Sequence, residues 1–136
     1  MRILNVGHHY HVQGGSDRVM LRLGELLEAN GHSVVPFVSQ HEDNRPSEWS
    51  DYFPPGVDTQ DPSLEDAARF VYSTEARQQM ARLLKNGGPF DLAHLHIYYG
   101  QLTASILKPL VAAGVPIVQT LHEFKLTCPV HSHLSQ

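Results

Sequence analysis

The 136-residue sequence is 41% apolar and carries a formal net charge of -4, which fits one globular domain with one core and leaves no room for a second. Its lysines and arginines are scattered singly, so the sequence disfavours a nucleic-acid partner. The single cysteine excludes an internal disulfide, and the chain shows neither a signal peptide nor a run of roughly 20 apolar residues, so we predict a cytoplasmic location with any membrane contact peripheral.

The first forty residues predict a strand, a helix and a second strand. Residues 3–6 form a short β-compatible run. Residues 16–30 follow a helical period, and Gly31 supplies the left-handed residue at which such helices end. Residues 33–39 indicate a second buried strand, in which Pro36 points to a sheet edge or a bulge. The apolar helix positions assigned to the core are Val19, Leu23, Leu26 and Leu27.

The middle of the chain predicts an irregular segment followed by helix. Residues 41–62 are rich in proline, and their large aromatic residues are interpreted as core cover rather than as a sugar-stacking platform. Residues 63–86 indicate one long helix or two shorter ones, which the following Gly-Gly-Pro sequence terminates. The aromatic residues are Trp49, Tyr52 and Phe53.

Two more strands with a helix between them complete the pattern. Residues 90–97 predict a third strand and residues 116–120 a fourth. Residues 102–113 between them predict a helix that Pro109 should kink or divide. Strands that alternate with helices predict an α/β fold with a Rossmann-like, doubly wound parallel sheet.

Ligands bind to such sheets outside the carboxyl ends of the strands, where residues 8–18, 96–101 and 120–128 are expected. Gly14 and Gly15 come directly before a helix, so their backbone can approach a ligand and free N–H groups lie at the positive end of the helix dipole. A phosphate or a carboxylate suits that place. A plain turn that needs positive φ explains the pair equally well. The GxGxxG fingerprint is absent, which disfavours an ordinary NAD-binding domain.

Histidines are grouped at three places in the sequence, and none of the groups has the carboxylate or thiolate neighbours and spacing of a zinc site. We therefore predict no metal. The groups are His8, His9 and His11, then His94 and His96, then His131 and His133.

Individual histidines receive different interpretations. His94 is interpreted as a core histidine that is hydrogen-bonded to a neighbour. His96 and His122 fall at strand ends, where either could contact a sugar hydroxyl or transfer a proton near neutral pH. Cys128 has no nearby base in the sequence, so nothing supports a nucleophilic role for it.

Several short motifs stand in a fixed order along nearly the whole chain. They are MRIL at residues 1–4, GGSDR at 14–18, LL with GHSV at 26–34, DLAHLH at 91–96 and GVPIVQTLHEFKLTCP at 114–129. Their order and separation resemble the N-terminal domain of GT-B glycosyltransferases, in particular the retaining group called family 4 or group 1. Residues 41–86 contribute nothing to this resemblance.

The resemblance implies that this domain binds the acceptor, whereas a second Rossmann-like domain binds the nucleotide-sugar donor. Gly14 and Gly15 are then expected to approach the donor diphosphate when the domains close, and His122 to help bind the donor sugar and stabilise the transition state. The residues implied on the acceptor side are Asp17, Arg18, His96 and Glu123. The implied reaction is a same-face displacement in which the leaving diphosphate helps to take the acceptor proton, without a cofactor or metal.

Two further expectations concern the extent of the chain and its partners. The donor domain and the end of the N-terminal domain are missing from residues 1–136, so we expect an incomplete domain that is inactive alone. An open sheet edge near Val118 predicts association between copies. The alternatives that stay open are a non-catalytic Rossmann-like module with an anion site at the Gly-Gly turn and, less favoured, a histidine-based metal protein.

Overall fold

A computed structural model describes residues 1–58, 61 and 63–124. The strands are β1 (Arg2–Val6), β2 (Ser33–Phe37), β3 (Leu92–Leu95) and β4 (Ile117–Gln119). The helices are α1 (Gly15–Ala29), α2 (Leu64–Val71), α3 (Thr74–Gly87) and α4 (Leu107–Ala112), with short 3-10 turns at Ser50–Tyr52 and Ala104–Ile106. In the described part of the chain, no helix combines the length and the apolar character needed to span a membrane.

The four strands form one parallel sheet in the order β2-β1-β3-β4. This confirms the predicted Rossmann-like α/β fold. Among the strands of the described part of the chain, β2 lies at an edge, and it keeps an unbroken register with β1 from Arg2–Ser33 to Val6–Phe37. Pro36 lacks an N–H, and an edge strand needs ladder bonds on one side alone, so the proline is tolerated there without a bulge. The edge interpretation of Pro36 is therefore confirmed.

Side chains of β1 alternate between two layers of helices. Leu4 and Val6 are buried in the main core with residues of α3 and α4. Asn5 points to the other face, where its Nδ2 donates to the Met20 carbonyl of α1 at 3.2 Å. Helices therefore cover both faces, as a doubly wound sheet requires. The main core consists of Leu4, Val6, Val35, Phe37, Ala76, Met80, Leu83, Phe90, Ala93, Leu95, Tyr98, Leu102, Ile106 and Leu110.

The buried face of α1 differs from the predicted one. The helix buries Asp17, Met20, Leu21 and Gly24, which are spaced as one helical stripe. Val19 and Leu26, by contrast, are 47% and 46% exposed, so the assignment of these two residues to the core is wrong. Gly24 lies on the face of α1 that contacts the sheet. A Cβ there would lie 3.4 Å from Asn5 Nδ2.

The middle of the chain forms two helices, and its aromatic residues cover the core. Phe53 is 2% exposed, and Trp49 and Tyr52 pack against the buried clusters. Core cover is therefore the better of the two interpretations. α2 does not pack as its apolar pattern suggested, because Leu64 and Val71 are 94% and 79% exposed.

Pro109 does not kink the fourth helix. It lies in the first turn of α4, where an N–H has no i-4 carbonyl to bind. The division of the predicted helix occurs upstream, where the 3-10 turn Ala104–Ile106 passes into α4.

Among the described residues, β4 pairs only with β3 and leaves Val118 50% exposed. Association through this edge stays a prediction.

Gly7, at the end of β1, offers a test of the packing between the sheet and α1. A Cβ at Gly7 would lie 2.3 Å from the sulfur of Met20, which is itself 1% exposed. We expect Gly7→Ala to lower the free energy of unfolding in urea by about 1–3 kcal/mol, because Met20 must move. Gly15→Ala is the matched control, since nothing lies within 4 Å of a Cβ there. Equal losses in both variants would contradict this packing.

Candidate active site

The sheet order places a ligand site between β1 and β3. The chain leaves β1 through α1 to reach β2 on one side, and it enters β3 through α2 and α3 on the other. The carboxyl ends of β1 and β3 therefore form the switch point at which ligands bind in open α/β sheets.

His8 holds three of the surrounding loops together. Its Nε2–H donates to the Tyr99 carbonyl, after β3, at 2.8 Å. Its own carbonyl accepts from the Ser39 amide at 3.0 Å and from the Ser39 hydroxyl at 2.7 Å, after β2. The first predicted segment is thus tied directly to the second, and both lie beside the end of β2.

A cleft of about 1040 Å³ opens over these strand ends, and we call it the strand-end cleft. One wall is fixed by Gln101, whose side-chain amide bonds Val57 twice, at 2.7 and 3.1 Å. Most lining groups are polar, which suits a hydroxyl-rich ligand better than a lipid tail. The lining residues are His8, His9, Gln13, Gln40, His41, Glu42, Pro55, Gly56, Val57, Asp58, Phe70, Ile97, Tyr99, Gly100, Gln101 and Glu123.

Tyr99 and Glu123 form a polar pair inside this cleft. Burial, followed by a hydrogen bond to the Glu123 carboxylate, raises the pKa of Tyr99. The phenol therefore stays protonated and donates to the carboxylate. Tyr99 was not among the predicted site residues, although the Gly100 that follows it indicates a turn after β3. Gly100 has a φ of 92°, in the left-handed region that favours glycine, and so turns the chain at the end of β3.

Three imidazole rings stack at the ends of β3 and β4. The rings of His94 and His96 lie 4.4 Å apart, and those of His96 and His122 lie 5.2 Å apart. His94 Nε2 is 2.7 Å from the Thr120 hydroxyl, which confirms the predicted hydrogen bond, but the ring is half-buried and not part of the core. His96 Nδ1 is 2.9 Å from His122 Nε2.

His96 lies beneath the surface rather than on it. Its side chain is 1% exposed, so it can act on a ligand through His122 but does not itself line the cleft. Burial and the two neighbouring histidines lower its pKa to about 3, so the ring is neutral near pH 7. Its Nε2 has no hydrogen-bond partner among the described residues. A buried N–H without an acceptor is costly, so the favoured tautomer carries the proton on Nδ1 and donates it to His122. His122 then holds its own proton on Nδ1.

The Gly-Gly turn forms the N-terminal end of α1. Gly14 is the N-cap, with an extended φ of -144°, and Gly15 is the first helical residue. Neither glycine needs positive φ, so the turn interpretation based on that need is wrong. Asp17 is 6% exposed, and its carboxylate accepts from the Gly14 amide at 3.0 Å. Arg18 is exposed on the same turn.

The structure separates the predicted site residues into two groups. His122 and Glu123 follow β4 beside the strand-end cleft, with His96 behind His122. Gly14, Gly15, Asp17 and Arg18 stand on the first turn of α1 and are not among the cleft-lining residues. The interpretations of Cys128, His131 and His133 lie outside the described residues.

A doubly wound parallel sheet with a polar cleft at its switch point defines a Rossmann-like ligand-binding domain. Residues 13–135 match the model of a family described as Glycosyltransferase Family 4. The chain belongs to this glycosyltransferase family. Its α/β fold, built on the parallel sheet, is that of the N-terminal domain of a GT-B glycosyltransferase. The resemblance in the motifs is thereby confirmed. A comparison with curated proteins gave no match.

Histidines that are buried in the neutral form make the fold sensitive to acid. Burial lowers the pKa of His96 to about 3 and that of His9 to about 4, from an ordinary 6.5. Below pH 6.5 the unfolded chain takes up these protons, whereas the folded chain does not until the pH reaches about 3–4. The free energy of unfolding should therefore fall as the pH drops through this window, by up to about 1.4 kcal/mol per pH unit for His96 and by less for the half-buried His9, which solvent screens.

Urea unfolding at about pH 7.5 and about pH 5 measures this effect. His96→Asn keeps a polar atom near the position of Nδ1 but does not titrate, so it should show a shallower fall. A wild-type slope in this variant would contradict the neutral, buried state of His96.

Proposed function

We propose that this domain is the acceptor side of a retaining glycosyltransferase that transfers a sugar from a nucleotide-sugar donor to a saccharide, lipid-linked or small-molecule acceptor. Membership of the family supports the reaction class. The observation that carries the site is the meeting of the loops after β1, β3 and β4 at one polar cleft. In this proposal a second domain, outside residues 1–136, binds most of the donor, and the protein works in the cytoplasm, with any membrane contact peripheral.

The first turn of α1 is the proposed contact for the donor diphosphate. The fold itself gives little reason for glycine here, because a Cβ on Gly15 would have nothing within 4 Å and one on Gly14 only the Asp17 carboxylate at 3.8 Å. Close approach of a ligand to the backbone supplies such a reason. Since Asp17 already occupies the Gly14 amide, the amides of Gly15 and Ser16 are the donors left to the ligand.

His122 is the proposed catalytic residue. Its bond from His96 leaves the His122 proton on Nδ1, so the ring can donate to a hydroxyl of the donor sugar or to an oxygen that gains charge in the transition state. His96 is a positioning residue in this proposal, because it fixes the tautomer and the plane of the neighbouring ring. The His94–Thr120 bond supports the stack from the other side.

The strand-end cleft is the proposed acceptor site. Glu123 and Tyr99 present a carboxylate and a phenol that can bind sugar hydroxyls. Arg18 is exposed in the first turn of α1, and in this proposal it also contacts the acceptor. Asp17 contributes indirectly in this arrangement, since its carboxylate fixes the turn.

The proposed reaction is a same-face displacement. The bond between the anomeric carbon and the leaving diphosphate oxygen breaks, and the acceptor oxygen bonds to the same face of that carbon. The acceptor proton passes to the departing diphosphate. This scheme uses no metal ion and no cofactor.

Removal of His122 tests the catalytic assignment. In the whole protein, with its donor domain, we expect His122→Ala to lower kcat/KM for sugar transfer by about 10²–10⁴-fold, because a donor aimed at the transition state is lost. Transfer is measured with a panel of nucleotide sugars and acceptors. His32→Ala is the control, since His32 lies before β2, at the opposite end of the sheet. Equal rates in wild type and His122→Ala would overturn the assignment.

The division of labour between domains has its own test. The 136-residue chain should bind nucleotide sugars more weakly than the micromolar range in calorimetry, because most donor contacts belong to the other domain. A micromolar dissociation constant for this chain alone would contradict the proposal. Tight binding of inorganic phosphate without any transfer by the whole protein would instead favour the non-catalytic module.

A further inference from the structure

A group of metal-ligating side chains lies at the rim of the strand-end cleft. His11, from the loop after β1, meets His41 and Asp43, from the loop after β2. One ligand atom from each of the three lies within 4.8 Å of the others. We propose that these three residues bind one divalent transition-metal ion of the zinc or nickel class.

The distance between ligand atoms of His41 and Asp43 is close to the distance expected in a metal-bound site. A tetrahedral ion with bonds of about 2.0–2.1 Å holds its ligand atoms about 3.3 Å apart. His41 Nδ1 already lies 3.6 Å from Asp43 Oδ2. The side chains of His41 and Asp43 are 35% and 69% exposed, so both can rotate the remaining distance without disturbing the core.

A hydrogen bond to Asn44 fixes the tautomer of His11. Its Nδ1 lies 3.1 Å from Asn44 Oδ1, an oxygen that can accept but not donate, so Nδ1 carries the proton and Nε2 has a free lone pair. Asn44 is itself fixed, because its Oδ1 accepts from the Tyr10 amide at 2.8 Å and its Nδ2 donates to the Ser39 carbonyl at 2.8 Å. Such a second layer sets the tautomer and plane of a ligating ring.

His41 would bind through Nδ1. That nitrogen accepts from the Asp43 amide at 3.2 Å, at the long end of the hydrogen-bond range, and a metal would replace this bond. The proton of the neutral ring then stays on Nε2. Two imidazole nitrogens and one carboxylate oxygen form the ligand set of many zinc sites that keep an open position.

The surroundings also favour a cation. The ring of His9 lies 5.0 Å from that of His11 and 5.4 Å from that of His41. His9 thus places a third imidazole beside the two proposed ligand rings. Glu42 lines the cleft next to His41 and adds negative charge.

This site is separate from the proposed transfer step. It lies on the β1–β2 side of the cleft, whereas His122 follows β4. Metal binding is measured on the 136-residue chain without a donor or an acceptor, so its failure and the failure of sugar transfer are distinguishable. Spacing along the chain did not pair His11 with His41 and Asp43, because about thirty residues separate them and they meet only in the fold.

Calorimetric titration of the chelator-treated 136-residue chain with Zn²⁺ and Ni²⁺ tests the proposal. We expect one ion per chain, and a Co²⁺ absorption spectrum typical of nitrogen and oxygen ligands. His11→Ala, His41→Ala and Asp43→Asn should each weaken binding at least about tenfold. Asp43→Asn keeps the test valid if a histidine variant unfolds, because that side chain is largely exposed.

Two controls isolate the site. His131→Gln with His133→Gln removes the histidine pair nearest the end of the sequence and should leave the affinity unchanged, as should His32→Gln. The proposal is overturned by a chain without saturable binding, by affinity that survives all three site variants, or by affinity that is lost only with His131 and His133.

Discussion

The parallel pairing of β1 with β2 on one side and β3 on the other is the constraint on which the rest of the molecule depends. Parallel strands end at the same edge of a sheet, so the loops that follow them must meet there. The opposite directions of the two connections keep the loops after β1 and β3 from covering one another. A single histidine, His8, can then bond to both neighbouring loops and hold a polar cleft open between them.

The stacked rings of His96 and His122 behind the strand-end cleft combine an unfavourable burial with a defined proton position. Burial favours the neutral form of His96, and its Nε2 has no hydrogen-bond partner within residues 1–58, 61 and 63–124. The neutral ring stacks on His122 and, through the bond from its Nδ1, sets the proton position of His122. Unsatisfied polar atoms of this kind collect where a site must be preorganised, because the surrounding fold compensates for the local loss.

The sequence could predict the elements but not all of their contacts. Each of the four strands falls within its predicted range apart from one residue at the start of β1, and Pro36 revealed the edge of the sheet because proline chemistry is local. The buried face of α1 was not predictable in this way, since apolar residues occupy both candidate stripes and their spacing does not choose between them. The exposure of Leu64 and Val71 likewise reflects what packs against α2, which periodicity does not report.

For the candidate site too, the sequence predicted the segments but not the contacts between their side chains. Strand-end logic located the segments that hold Gly14, His122 and Glu123, because topology alone brings such segments to one edge. It did not reveal that His96 is buried or that Tyr99 is bonded to Glu123, since both depend on side-chain packing between loops. Nor did it pair His11 with His41, whose loops belong to different strands.

The cap of α1 has a consequence for turnover. The Asp17 carboxylate lies 3.0 Å from the Gly14 amide, so a negative charge already stands at the helix end where a diphosphate would bind. The helix dipole attracts the phosphate while the carboxylate repels it, and the net hold on the anion is weaker than that of an uncapped glycine turn. In the proposed transfer, weaker binding of the diphosphate speeds dissociation of the nucleotide product. Product release limits the rate of many enzymes.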